Sequence, residues 1–191
     1  MRFRLAFVLV LTLALVLVAG RGVAAERPVA GDLLRLLDPP RGGVPGVLVR
    51  AAGVTPLRAD DPRFGGATLE IAGEAAGDGA TGPILLAAAH WRGLGRSPGA
   101  AGFVFIDRTG TSGIRRVLLR AGPRGGTLLV SGRGSAWPYR ITQPQGAIDV
   151  RLAIGAEVYC ARFTAFARNA PGRVVARNAP PPAGCGTAPA S

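Results

Sequence analysis

The sequence predicts an all-β protein, an antiparallel two-sheet β-sandwich, with a closed β-barrel as the alternative. Three observations lead there. The 29 glycines and 16 prolines are spread along the chain and cut it into short apolar runs. Several of those runs alternate apolar and polar residues with a period of two. No run of 3.6-residue periodicity is long enough for a substantial helix, which excludes βαβ architectures. Short strands and irregular turns favour the sandwich over the barrel.

The chain opens with a basic head, Met1-Arg-Phe-Arg4, sixteen uncharged residues from Leu5 to Gly20, and the small-residue stop Val23-Ala24-Ala25. That order reads as a secretory signal peptide over residues 1–25, cleaved after about Ala25. The expected location is the periplasm or the extracellular space. Sixteen apolar residues are short for a spanning helix of about twenty, and no later segment is long and apolar enough to cross a bilayer. No cysteine stands at the cleavage point, so a lipid anchor is not expected. The remaining length suits one domain over residues 26–178, followed by an irregular Pro/Ala/Gly-rich tail over 179–191.

Asp32–Leu37 (DLLRLL) is the only helical candidate, capped by Asp32 and stopped by Pro39-Pro40. Strands are expected at Pro45–Ala52, at Gly66–Ala72 with Ala67, Leu69 and Ile71 on one face, and at Pro83–Ala88. Gly102–Ile106 (GFVFI) is apolar on both faces and reads as a covered strand. Ile114–Ala121 places Val117 and Leu119 opposite Arg116 and Arg120. Gly126–Gly132 and Ala136–Thr142 follow. Ala147–Ile154 is the cleanest half-buried strand, with Ile148, Val150, Leu152 and Ile154 on one side. Glu157–Phe163 and Arg173–Arg177 complete the set. The pentapeptide ARNAP occurs at Ala167–Pro171 and at Ala176–Pro180, too few copies for a repeat architecture.

Cys160 and Cys185 are the only cysteines. In an exported chain they are expected to form a disulfide. In Glu157–Phe163 the aromatics Tyr159 and Phe163 share one face, so Cys160 points to the other and can meet a returning tail. A bridge across some 25 residues contributes roughly 3 kcal/mol in the loop-entropy model.

Charge is uneven. Residues 26–100 carry eight Arg and eight acids, whereas residues 101–191 carry twelve Arg and three acids, and there is no Lys. The first reading is GC-rich coding, because the Arg are dispersed along the chain. The other is a basic face for polyanions. The expected partners are an acidic polysaccharide or the envelope surface, without specific nucleic-acid binding. The candidate ligand-binding residues are Trp137 and Tyr139, on one face of an expected strand, with Arg133 and Arg140 beside them. The plain reading of that aromatic pair is core. The alternative is a stacking platform, which Pro138 supports by favouring an edge strand.

Catalytic signals are sparse. His90 is the only histidine, so a Ser-His or zinc constellation has little to draw on. No G-x-S-x-G elbow forms at Ser135, since position 137, which would need the last Gly, is Trp. Without Lys there is no Walker A loop. Asp60-Asp61 before Pro62 read as a turn, and the Asp107 loop DRTGTSG lacks further acids at calcium spacing. No catalytic residue, metal or cofactor is expected. The functional expectation is a secreted, non-enzymatic module with a structural or binding role at the envelope or outside the cell. Polyanion or glycan binding is the first alternative, and a carboxylate hydrolase the second.

Four motifs, Trp91-x-x-Leu94-Gly95, Gly102-Phe103-x-Phe105-x-Asp107, Gly132-x-Gly134 before Trp137-Pro138-Tyr139, and Tyr159-Cys160-Ala161-x-Phe163, resemble a group of secreted bacterial β-rich proteins and domains. The resemblance spans Asp61 to Phe163. The chain departs from the group's pattern at Tyr159, where Trp is associated with the position. The resemblance implies export and a β-rich fold, and no activity or site residue.

Overall fold

The structure, a computed structural model, describes residues 24–40, 42–55, 60–123 and 125–186. Its regular structure is nearly all strand. The elements are β1 (Ala25–Pro28), β2 (Ala30–Leu37), β3 (Gly46–Val54), α1 (Pro62–Gly65), β4 (Ala67–Gly73), β5 (Ile84–Leu86), a 3-10 turn (Ala88–His90) and β6 (Trp91–Leu94). Then follow β7 (Gly102–Ile106), β8 (Ile114–Arg120), β9 (Gly126–Arg133), β10 (Ile148–Ile154), β11 (Glu157–Phe163), β12 (Phe166–Ala170) and β13 (Arg173–Ala179). One sheet has the order β1-β11-β10-β4-β5. The other has the order β12-β13-β2-β3-β9-β8-β7-β6. All neighbours pair antiparallel except β1 and β11. Both sheets keep free edges, so the sandwich forms and the barrel does not.

A single apolar cluster joins the sheets. Leu69, Ile71, Val150, Leu152, Tyr159 and Phe163 enter it from the smaller sheet; Leu34, Leu36, Val49, Val130, Val117, Phe105 and Val174 enter it from the larger. In β10 the alternation Ile148, Val150, Leu152, Ile154 is buried to the last residue, as period two requires. Gly102–Ile106 is covered on both faces through Phe105, and Ile106 emerges at 41% exposure.

Three expectations are corrected. Asp32–Leu37 is the body of β2 rather than a helix. It pairs on both sides, with β3 and β13, and a bulge between Gly31 and Leu33 sets Leu34 and Leu36 inward. Its doubled leucines mimic helical spacing because the opposite face is also partly apolar. Ala136–Thr142 is not a strand. It belongs to the long crossing from β9 to β10, where Pro138 and Pro144 remove ladder donors. The crossing is held by other bonds: Ile141 N donates to Asp38 Oδ2 at 2.9 Å, Gly134 N to Pro45 O at 3.0 Å, and Gln145 and Asn169 exchange side-chain and backbone bonds at 2.7 and 2.6 Å. Pro83–Ala88 shortens to the three residues of β5.

The two ARNAP copies become different things. The first forms most of β12 and its turn. The second ends β13, where Asn178 adopts φ +53° between the pairs Arg177–Leu33 and Ala179–Gly31, opposite the bulged stretch of β2. The disulfide is formed: Cys160 on the outer side of β11 joins Cys185 with Cα atoms 5.4 Å apart. With Val158 it makes a small second apolar cluster outside the smaller sheet. The expected signal peptide lies outside the described residues except for Ala24 and Ala25, and Ala25 is the first residue of β1. The tail is described to Gly186. No helix among the described residues is long and apolar enough to cross a membrane.

Candidate functional site: an arginine-lined sheet face

Strand alternation places one set of side chains of the larger sheet in the core and the other in solvent. The solvent set is basic. The eight strands of that sheet contain ten Arg and a single acid, Asp32, at the β2 bulge. The five strands of the smaller sheet contain three Arg and four acids. The charge asymmetry that sequence order shows as two halves is therefore an asymmetry between faces. Arg35, Arg50 and Arg92 come from the charge-balanced part of the chain and still join this face.

Register arranges the face in rows. One runs Arg168, Val175, Arg35, Leu48, Ser131, Arg116, Ile106 across seven strands. The next runs Arg177, Leu33, Arg50, Leu129, Leu118, Val104, Arg92. Strands lie about 4.8 Å apart, so Arg168 and Arg35, or Arg177 and Arg50, are rooted about 10 Å apart. Among the described residues none of these guanidinium groups meets a carboxylate. Leu48, Leu129 and Leu118 stand between the arginines in these rows and give the face its aliphatic surface. Arg173 Nε, at the border, is buried with no hydrogen-bond partner among the described residues.

The sequence-predicted binding residues separate. Trp137 and Tyr139 are fully buried, with rings stacked at 6.5 Å and an interplanar angle of 12°. Tyr139 Oη donates to Gln145 Oε1 at 2.9 Å, and burial pushes its hydroxyl pKa up. Gly113, at φ +77°, packs on this segment; a Cβ there would stand 2.7 Å from Trp137 Cα. The pair is core and offers no platform to a ligand. Arg133 does lie on the basic face, in the row Leu37, Gly46, Arg133. Arg140 does not: it donates to the Trp137 carbonyl at 3.0 Å and stands 3.6 Å from Asp38, holding the crossing. The outer positions of the eight strands carry no aromatic ring, so the stacking element of the glycan expectation has no surface to act from. Phe64, at 84% exposure on α1, is the prominent exposed aromatic among the described residues, and the Arg63 guanidinium sits 5.8 Å from its ring centroid.

Most of the carboxylates are engaged in the scaffold. Asp61 caps α1 and forks onto Arg63, whose hydrogen bonds hold it below the ordinary carboxylate range. Asp107, the turn acid expected at DRTGTSG, accepts from the Thr109 hydroxyl and amide, and the hydroxyl lowers its pKa most. Arg162 bridges Asp149 and Glu74 across the smaller sheet, while burial pushes Asp149 up against that pull. Asp60 accepts from Ala156 N, and Asp78 from Ala75 N and Gly146 N. His90 lies in the 3-10 turn with its ring 5.7 Å from that of Phe105. Among the described residues no three His, Cys, Asp or Glu converge as metal ligands.

A pH dependence follows from Asp61 and Asp107. A carboxylate with a lowered folded pKa contributes stability above its unfolded value of about 3.8, and that stability is lost as pH falls through the folded value. The melting temperature is expected to drop below about pH 4, and Asp107→Asn to flatten that acid limb; a thermal melt series from pH 5 to about pH 2 measures it. An unchanged limb in the variant would remove Asp107 from the account.

Comparison with protein-family models, with curated proteins and with solved structures finds no match in any of the three.

Proposed function

We propose that this chain is an exported, non-enzymatic binding module that holds polyanions of the cell envelope or its surroundings on the outer face of its larger sheet. The observation that carries this reading is the composition of that face: arginines in cross-strand rows without opposing carboxylates. Uncompensated like charges cost self-repulsion, which an anionic partner removes. Export is supported by the leader-like first 25 residues and by the Cys160–Cys185 bridge. The non-enzymatic character is supported by carboxylates tied to arginines and turn amides rather than paired across a cleft. The partner's class is set by charge, since the face has guanidinium groups and aliphatic carbons but no ring for a sugar to stack on.

The test is retention of the purified protein on alginate, an acidic polysaccharide, against dextran, a neutral one, over a salt series. Binding to alginate should fall steeply as salt rises, because exposed charges are screened beyond about 10 Å at 0.1 M. The triple variant Arg50→Gln, Arg116→Gln, Arg120→Gln should weaken it about 10- to 100-fold, from roughly 0.5–1 kcal/mol per exposed contact. Arg162→Gln, on the other sheet, should leave it unchanged. Equal affinity for dextran, or no effect of the triple variant, would overturn the reading.

A further inference from the structure

At one border of the basic face, a cleft of about 310 Å³ opens between β2, β3, β9 and the loop entering β3. Its walls are Arg35 and Leu37 from β2, Val44 and Pro45 from the loop, Leu48 from β3 and Arg133 from β9. The opening has a structural cause. Gly46 stands between Leu37 and Arg133 in their cross-strand row, so the row lacks a side chain where neighbouring rows have one. Glycine is required there, because a Cβ would lie 2.7 Å from the Gly132 carbonyl oxygen. Two strands and their pairing therefore fix the floor.

The lining combines two chemistries. Arg35 and Arg133 bring two guanidinium groups, and no lining residue is acidic. Leu37, Leu48, Val44 and Pro45 bring aliphatic surface, with Val44 at 56% exposure. A small inorganic anion satisfies only the first. A neutral alkyl chain satisfies only the second and strips water from guanidinium groups without pairing them. A ligand with an oxyanion at one end and an aliphatic body at the other satisfies both. We infer that this cleft binds a single anionic amphiphile, a carboxylate or phosphate carried on an alkyl or acyl chain. Its volume, at the lower end of the roughly 300–1,000 Å³ of small-molecule sites, takes the headgroup and the first part of the chain. The ligand is a monomer rather than a bilayer surface. Neighbouring strands rotate by about 20–25°, so the eight-stranded face is twisted and presents its arginines to a plane only a few at a time.

This site rests on the reading of the sheet face as an anion-binding surface, and the test separates the two. Calorimetric titration of the purified protein with sodium octanoate, below its micellar range, should show saturable binding. Inorganic phosphate and 1-octanol should each bind at least tenfold more weakly. Arg35→Gln with Arg133→Gln should abolish octanoate binding, Val44→Ser should weaken it at least threefold, and Arg116→Gln with Arg120→Gln should leave it intact. Circular dichroism of each variant, unchanged, establishes that loss of binding is not loss of fold. The inference is overturned by phosphate binding as tightly as octanoate, by octanoate binding that ignores Arg35 and Arg133, or by no saturable binding. Sedimentation with phosphatidylglycerol vesicles in the absence of octanoate binding would likewise overturn it in favour of a bilayer. Alginate retention of the same sample distinguishes the failures: alginate bound with octanoate unbound removes the cleft alone, and loss of both removes the face.

Discussion

Trp137→Ala is expected to lower the unfolding free energy by about 3–5 kcal/mol, the range for truncating a buried Trp. For a domain of this size that is a fall in melting temperature on the order of 10 °C. Trp137 is fully buried, stacked on Tyr139 and backed by Gly113, so its removal leaves a cavity that rigid strands and a fixed crossing cannot close. The effect sits in a segment without a ladder. The crossing from β9 to β10 depends on side chains for its position, so losing the ring also loosens the Gln145 and Asp38 bonds that pin the crossing. Trp137→Phe keeps the ring stacking and part of the volume, and should cost less than half as much. It should not suffer from the lost indole, since Trp137 Nε1 has no hydrogen-bond partner among the described residues. Chemical denaturation of the three proteins measures both numbers. A Trp137→Ala protein of native stability with reduced ligand binding would instead place this ring at a surface, against its burial.

The fold was legible where one sheet face is apolar and the other polar. Gly66–Ala72, Ile114–Ala121, Ala147–Ile154 and Glu157–Phe163 read correctly to within a residue at each end, because period-two alternation survives in half-buried strands. It failed where that contrast is absent. The leucines of β2 appear on both faces, Leu34 and Leu36 in the core and Leu33 and Leu37 among the arginines, so the pattern imitates a helix. One of those outward leucines, Leu37, lines the cleft, and the misleading signal and the candidate site thus share a residue. β12 (FARNA) is an edge strand with too little apolar content to announce itself, and β6 is four residues long. Trp137 and Tyr139 are buried without being in a strand, which alternation cannot report. The site was half legible. Arginine excess is a property of composition, but its concentration on one face depends on strand order: β2, β3 and β6 interleave with β8, β9 and β13 only once the sheet is formed. Arg133 was reached from the sequence because it adjoins the aromatic segment, and Arg35 was not, since nothing local links it to β9 across β3.

Reducing the Cys160–Cys185 bridge, or replacing both residues by Ser, is expected to cost about 3 kcal/mol, or a fall in melting temperature of roughly 6–12 °C. The bridge spans a sequence separation of 25 residues that includes β12 and β13, so cutting it restores most of its conformational freedom to the unfolded chain. The native state loses something local as well. Cys185 N donates to Glu26 Oε2 at 2.9 Å, and Arg151 donates to the Cys185 and Gly186 carbonyls. Together these hold the tail against the outer side of the smaller sheet, across β1. The strand β1 has only four residues and one partner, β11, and its remaining support is the Arg27–Glu157 pair at 3.0 Å. The two contributions have different signatures. An effect confined to the unfolded state lowers the melting temperature and leaves amide exchange in β1 unchanged relative to the core. Release of the tail also speeds exchange at Arg27 and Val29, whose neighbours on β11 stay protected by β10. We expect both. A melting temperature indifferent to reductant would show that the tail's hydrogen bonds alone hold it, and would leave the bridge without a part in global stability.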